Sequence, residues 1–461
     1  MNMQPDFTIL HSCGAAGRQP DGTFYLPTAP ETARWGRLPD GGSTPVLSMP
    51  SGGTLVVDAV SHEGLLEDQG RNPARFFSEN GVPDGAILPE AVDIARSVRH
   101  SPDEDGPHLV AGPVFVEGAE PGDILKVEVL SLSPRVPYAV SACRSDKGVL
   151  AGEFPKPGAA HSKLVPLAET EQGPRAVFEA SGAQVEIPIR PFFGILGTAG
   201  ADARNPHSVP PTAAGGNIDI AEFSAGAAVY FPVHVRGALF YAGDPHFAQG
   251  NGEVSLTALE GSLRGTFHLS VIKDAAGILP GAAGSGTFFG ETASHWIFAG
   301  LDESLDGALQ NAVRAALRFV SGQFSIPEND AYLYLGAAVD FSVSQAVDRT
   351  KGIHAAVAKA HFLRLLTFCL RVERAPDDGE RRMAPPEPPQ AVSVRTDGTT
   401  VFIKAAALLE LLEKSGAAPR GSIPAGDWIP LSGLSDAIGL PVVWATEGRR
   451  AVGTIYSVQK K

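Results

Sequence analysis

In the segment 124–132, Leu125, Val127 and Val129 alternate with Lys126 and Glu128, directly after Pro121-Gly122-Asp123. A period of two behind a turn signal predicts a half-buried strand. The apolar run 55–60 predicts another, ending just before His62 and Glu63. The runs 227–235 and 238–242 are separated only by Arg236-Gly237, the length of a two-residue loop, and predict a hairpin that presents whatever follows Ala242 at a strand end. Between 302 and 321 the spacing changes. Leu305, Leu309, Val313, Leu317 and Val320 recur every three or four positions, which predicts an amphipathic helix with that stripe on the core and Ser304 as its N-cap.

After Arg374 the pattern breaks. Charges crowd 375–382, and Ala384-Pro385-Pro386-Glu387-Pro388-Pro389 follows, a density that cannot continue a core element and favours an extended spacer. The expected organisation is a domain over 1–374, a Pro-rich linker over 375–390 and a small α+β domain over 391–461. In the last, 392–403 predicts a hairpin around Asp397-Gly398, 405–414 a helix, and 451–456 a final strand. This domain has no histidine and is expected to be dispensable for chemistry.

Composition narrows the class. The chain has 461 residues, with 52 Gly and 38 Pro against 43% hydrophobic residues, which favours a loop-rich, β-containing globular enzyme or binder over a helical bundle. The 37 basic and 51 acidic residues give a formal charge of −14, spread along the chain without a basic patch, which argues against nucleic acid or an anionic membrane surface as partner. Cys13, Cys143 and Cys369 are far apart and form no Cys-x-x-Cys, so neither a disulfide framework nor a thiolate zinc site is expected. The N-terminus lacks a basic start and an apolar signal core, and no stretch is long enough to span a bilayer; a cytoplasmic protein is expected.

The densest polar stretch is 243–253, Gly-Asp-Pro-His-Phe-Ala-Gln-Gly-Asn-Gly-Glu. It supplies two carboxylates, an imidazole and glycines that let a loop turn tightly around an ion or a substrate. His62 and Glu63 form a second cluster and Gly215-Gly216-Asn217-Ile218-Asp219 a third; a hydrogen-bonded structural histidine and a plain Gly-Asn turn are their bland alternatives. No Gly-x-Ser-x-Gly elbow, phosphate loop or Gly-x-Gly-x-x-Gly is present, which leaves metal-activated water as the most economical hydrolytic chemistry and proposes no nucleotide. Oxygen and imidazole donors suit zinc or another divalent ion.

The segment 112–123, Gly-Pro-Val-Phe-Val-Glu-Gly-Ala-Glu-Pro-Gly-Asp, preceded by His108, resembles the signature of the acetamidase/formamidase family. The likeness continues in 191–194, 215–219, 243–253, 340–345 and 352–355, and covers roughly residues 50 to 360. It implies a β-rich α+β core with flanking helices, homo-oligomeric assembly and metal-assisted hydrolysis of small carboxamides. Carried over by position, Asp219, Asp244, His246 and Glu253 fall on the family's polar motifs, and Glu117 and Glu120 on its acidic hairpin. Asn251 departs from the Asp usual in that loop, and Phe247 is larger than the residue usual after the His. The C-terminal segment resembles the small stalk-like N-terminal domain of copper amine oxidases, with Ser432-Gly433 in place of the usual polar-basic pair.

The expected site is thus one divalent ion held by some of His62, Asp219, Asp244 and His246, with Glu253 as general base and Glu117 as runner-up. A non-catalytic amide- or carboxylate-binding protein on the same scaffold is the alternative.

Overall fold

The computed structural model describes residues 8–201, 204–273 and 286–362, and the backbone of eight short strands between Thr367 and Ile455. The chain divides into two compact units, one of Met1–Ala275, Ala282–Arg318 and Tyr332–Val357, the other of Ala276–Gly281, Phe319–Ala331 and Ala358–Lys461.

Two large, mostly antiparallel sheets build the first unit. In one, Leu263–Ile272 lies between Gly53–Asp58 and Ile124–Pro134, and Ala228–Pro232 follows on the far side of Ile124–Pro134. In the other, Phe192–Gly197 lies between Gly215–Asn217 and Phe240–Ala248, with Leu259–Glu260, Tyr138–Arg144 and Ala160–Thr170 beyond. Phe193 and Phe240 of this sheet pack on Phe267 of the first, ring centroids 5.2 and 6.2 Å away, so one core joins the two sheets. The alternation in 124–132 survives intact: Leu125, Val127 and Val129 are buried while Lys126 and Glu128 are half-buried.

Two expectations are corrected. The runs 227–235 and 238–242 are not a hairpin: Ala228–Pro232 belongs to one sheet and Phe240–Ala248 to the other. Gly237, Ala238 and Leu239 all have positive φ and turn the chain between them. Both runs are almost wholly buried, so neither carries a polar face to reveal its partner. The same strand absorbs much of the expected 243–253 loop, since Gly243 to Ala248 are β structure. A Cβ at Gly243 would lie 2.3 Å from Leu109 O, so the glycine serves close strand approach and not a turn.

The helix forms as Leu305–Phe324, and Ser304 Oγ accepts from Gly307 N–H at 3.0 Å as an N-cap should. Of the expected stripe only Val320 is buried; Ala308, Ala312, Ala315 and Ala316 are buried instead of the leucines, and Leu305 and Leu309 are 37% and 38% exposed. A Cβ on Gly300 would sit 2.1 Å from Ala308 O, so helix and strand touch backbone to backbone and only small side chains fit between.

In the second unit, Glu380–Ala384 is a strand paired with Arg371–Arg374 and Val392–Thr396, inside the segment read above as a spacer. Val392–Thr396 and Val401–Lys404 pair antiparallel as a hairpin, and Arg450–Ile455 pairs with Val442–Glu447. The expected helix at 405–414 lies outside the described residues.

Candidate functional site

His246 stands in register with Glu260 on one side and Phe192 on the other. Its Nε2 lies 3.1 Å from Asp244 Oδ2 and 3.2 Å from Glu260 Oε2. Ladder partners on either side of Asp244 are Phe193 with Pro245 and Ile195 with Gly243, which brings Gly194 opposite Asp244. A Cβ on Gly194 would lie 2.6 Å from Asp219 Oδ1, 2.7 Å from Asp244 Oδ2 and 2.9 Å from His246 Cε1. The missing side chain is therefore the space into which these three groups converge.

His62 arrives from the other sheet, just past Gly53–Asp58. Ala59 N–H donates to Leu263 O and Ser61 N–H to Ser262 Oγ, which fixes the segment and leaves His62 Nδ1 3.2 Å from Asp244 Oδ1. Asp219, Asp244 and Glu253 have φ of 46, 51 and 44°. Left-handed backbone at a non-glycine residue costs about 1–3 kcal/mol, and its concentration at three convergent carboxyl groups is the pattern of a functional site.

Ligand atoms of His62, Asp244 and Glu260 lie within 4.8 Å of one another, and so do those of Asp219, His246 and Glu253. His62 Nδ1, Asp244 Oδ1, His246 Nε2, Glu260 Oε2 and both Asp219 oxygens are buried without a hydrogen bond. The approaches of 3.1–3.2 Å are close but not aligned as hydrogen bonds. Donors about 2.0–2.1 Å from a shared ion stand about 2.8–3.0 Å apart in octahedral and about 3.3–3.4 Å apart in tetrahedral geometry, so the spacing and the unmet lone pairs fit a divalent cation.

The tautomer of His246 agrees with that fit. Gln249 Nε2 donates to Asp219 O and Ser344 O, both at 3.1 Å, so its Oε1 is an acceptor and the facing His246 Nδ1, 3.1 Å away, carries a proton. Once the ring gives up its second proton to an incoming ion, Nε2 presents a lone pair, the arrangement usual for a metal-ligating histidine. His108 Nδ1 is bonded to Ser208 Oγ at 2.9 Å, and its Nε2 faces Asp244 from 3.9 Å.

Carboxyl groups and imidazoles are concentrated here. Asp219, Asp244, Glu253, Glu260 and Asp348 are all buried, and the imidazoles of His62, His108 and His246 stand among them. Burial and the neighbouring Asp348 and Asp244 push Asp219 well above the carboxylate range, and burial with Asp219 and Asp348 does the same to Glu253. Burial and Asp244 push Asp348 up to about 7. Burial opposes charge on His246, but Glu260 and Asp244 outweigh it and hold the ring's pKa well above its usual value. Asp244 goes the other way: against its burial, His246 and His108 hold it well below the usual range. Burial pushes His108 down to about 3.

A pocket of about 340 Å³ opens on this cluster, with His62, Asn217, Asp244, Glu253, Glu260 and Asp348 on its wall. Five of the six candidate residues from the sequence therefore meet in one place: His62, Asp219, Asp244, His246 and Glu253. Glu117 does not join them, since it is exposed at the end of Leu109–Glu117 and lies off the pocket wall. Asn251 is also exposed and belongs to neither donor group, so the departure from Asp falls on the turn and not on a donor.

Sequence reasoning missed Glu260, Asp348 and Gln249, and used His108 only as a landmark. Glu260 sits in a strand of two residues, too short for periodicity to register, and its one signal was an acid inside an apolar run.

The sequence profile of the Acetamidase/Formamidase family matches residues 90–205 and 196–359. The chain is similar to the acetamidase of Mycolicibacterium smegmatis, 29% identical over 219 residues, which are 36% of this chain and 54% of that protein. It is also similar to the formamidase of Methylophilus methylotrophus, 26% identical over 192 residues, 32% of this chain and 47% of that protein. The matches span about half the length of these curated relatives. A crystal structure of an acetamidase from Bacillus halodurans superposes with a TM-score of 0.57 at 24% identity, covering 74% of this chain and 99% of that one, a likeness of fold.

Proposed function

This chain belongs to the acetamidase/formamidase family, and from that premise we propose that it is a metal-dependent amidase hydrolysing a small carboxamide to carboxylate and ammonia. The observation that carries the reading is the set of buried, unpartnered donor atoms on His62, Asp219, Asp244, His246 and Glu260, three of these side chains, Asp219, Asp244 and His246, converging over Gly194. These residues would hold a divalent ion, zinc by their mixture of imidazole and carboxylate. Such an ion would supply Lewis acidity and bring the pKa of a water down to about 7.

The chain's own groups do the rest. Asn217 Nδ2 is committed to Asp348 at 2.9 Å, so its Oδ1, buried and without a partner on the pocket wall, is an acceptor for an amide N–H. Glu253 takes the proton that water loses as its oxygen bonds to the carbonyl carbon. It then returns that proton to the nitrogen as the C–N bond breaks, because an unprotonated amide anion cannot leave. Glu117, exposed and off the pocket wall, has no such access.

Homo-oligomeric assembly in the cytoplasm belongs to the same reading, and the exposed Val149, Leu150, Phe154 and Val254 are surface that an interface would cover. Among the described residues no helix is long and apolar enough to cross a membrane. The amine oxidase-like character of the C-terminal module is supported by its sequence motifs alone.

The test is metal analysis together with ammonia release from a panel of amides. His246→Ala lowers metal content and turnover together, and Glu253→Gln abolishes turnover while metal stays. Loss of metal in Glu253→Gln makes Glu253 a ligand and displaces it as base. A protein free of metal and inert on every amide is a binder on the same scaffold.

A further inference from the structure

Three cationic side chains line the wall of the site pocket: Arg144, Lys147 and Arg349. Arg144 is already engaged, with Nη1 3.0 Å from Glu63 Oε1 and Nε 2.7 Å from Asp68 Oδ2. Lys147 and Arg349 are exposed, and among the described residues neither side chain makes a hydrogen bond or ion pair. Asp146 shares that wall and pairs with neither. The carboxyl groups of Asp244, Glu253 and Glu260 on the same wall are buried, so the pocket runs from a deep acidic end, where the donors converge, to an outer cationic end.

Size makes the outer end available to the substrate. A volume of about 340 Å³ is room for about ten waters at roughly 30 Å³ each. An amide of four or five non-hydrogen atoms bound at the deep end leaves most of that unfilled. In a chain of formal charge −14, two free cations at the mouth of one pocket also form a local field of opposite sign, which draws an anion to that spot. Burial first, and then Arg349, Arg37 and Lys147 against Asp105, lower the pKa of nearby His207 to about 4.

We infer that the substrate is an amide whose far end carries a carboxylate, a monoamide of a dicarboxylic acid, held by Lys147 and Arg349 while its amide group lies at the buried donor cluster. This rests on the amidase reading and adds the substrate class to it. Arg349 suits the role because a guanidinium can grip a carboxylate with two parallel N–H bonds, and Lys147 adds a point charge.

The experiment compares the full-length, metal-loaded protein on malonamate, succinamate and glutaramate with the neutral amides propionamide, butyramide and valeramide. At least one anionic amide is expected to have a kcat/KM ten or more times that of its neutral counterpart. Lys147→Met and Arg349→Met each lower that ratio by tenfold or more, and added salt lowers it in the wild type. If neutral amides are hydrolysed as well as the anionic ones, or both variants keep the wild-type ratio, the carboxylate subsite is overturned and the amidase reading stands. Calorimetric titration with succinate separates the converse case. No ammonia from any amide, with succinate binding that both variants lose, overturns the amidase reading and leaves the anion subsite in place.

Discussion

Gln249 fixes the proton on His246. The carboxamide nitrogen is held by two backbone carbonyls, Asp219 O and Ser344 O, so its oxygen must face the imidazole, 3.1 Å from Nδ1. One side chain thereby ties the Phe240–Ala248 strand to the Asp219 turn and to the end of the Asp340–Gln345 strand while presenting the Nε2 lone pair of His246 to the donor cluster.

Gln249→Leu therefore removes the group that sets both tautomer and ring orientation. Removing such an orienting partner typically costs about 10–100-fold in metal affinity. Competition titration with a chelator of known strength measures it, and an affinity within twofold of wild type refutes the role.

Gly194→Ala places a methyl group where three donor side chains converge, with 2.6–2.9 Å to their atoms. Those atoms have to withdraw, so metal content after dialysis against a limiting ion is expected to fall tenfold or more, with turnover following it. Full retention of metal shows that the convergence over Gly194 is not the binding geometry.

Asn217→Leu keeps the approximate size of the side chain but offers no acceptor to an amide N–H and leaves Asp348 without its donor. The proposed contact is to substrate, so kcat/KM for amides falls by about tenfold, one to two kcal/mol, the worth of a hydrogen bond at a buried site. Metal content is the control: a loss of activity explained entirely by loss of metal assigns Asn217 to the structure and not to the substrate.

The pH dependence of stability separates the metal-free from the metal-loaded protein. His62, His246, Asp219, Glu253 and Asp348 all have pKa values raised in the folded state, so the stability they contribute is complete at low pH and is lost as pH rises through those values. His108 and Asp244 are lowered, and their contribution is already complete above about pH 6.5. Between about pH 6.5 and 8.5 the chelated protein is thus expected to lose thermal stability as the clustered carboxyl groups ionise against one another, Asp348 at about 7 among them. A divalent ion neutralises the same charges, so the loaded protein holds its melting temperature across that range, and binding the ion releases protons. A chelated protein that is stabilised by rising pH over this window contradicts the electrostatics described here.

Much of the frame was legible because local pattern decided it. The alternation of Leu125, Val127 and Val129 set a strand that has one buried face, and Ser304 announced the start of its helix by capping chemistry that needs no distant partner. His62, Asp244 and His246 stood out as polar residues at apolar strand ends or among glycines. What only the tertiary structure decided involves residues whose environment comes from far along the chain. The Phe240–Ala248 strand is buried on both faces, so nothing in its own sequence said which strands flank it or that Asp244 and His246 lie within it. Glu260 reaches His246 only through a two-residue strand, and Gln249 acquires its meaning from Ser344, 95 residues away. The helix buries alanines in place of leucines because Gly300 brings a strand against its backbone, a contact invisible to periodicity. Residue chemistry and spacing determined which side chains were available; backbone approach at glycines and long-range strand pairing determined which of them meet.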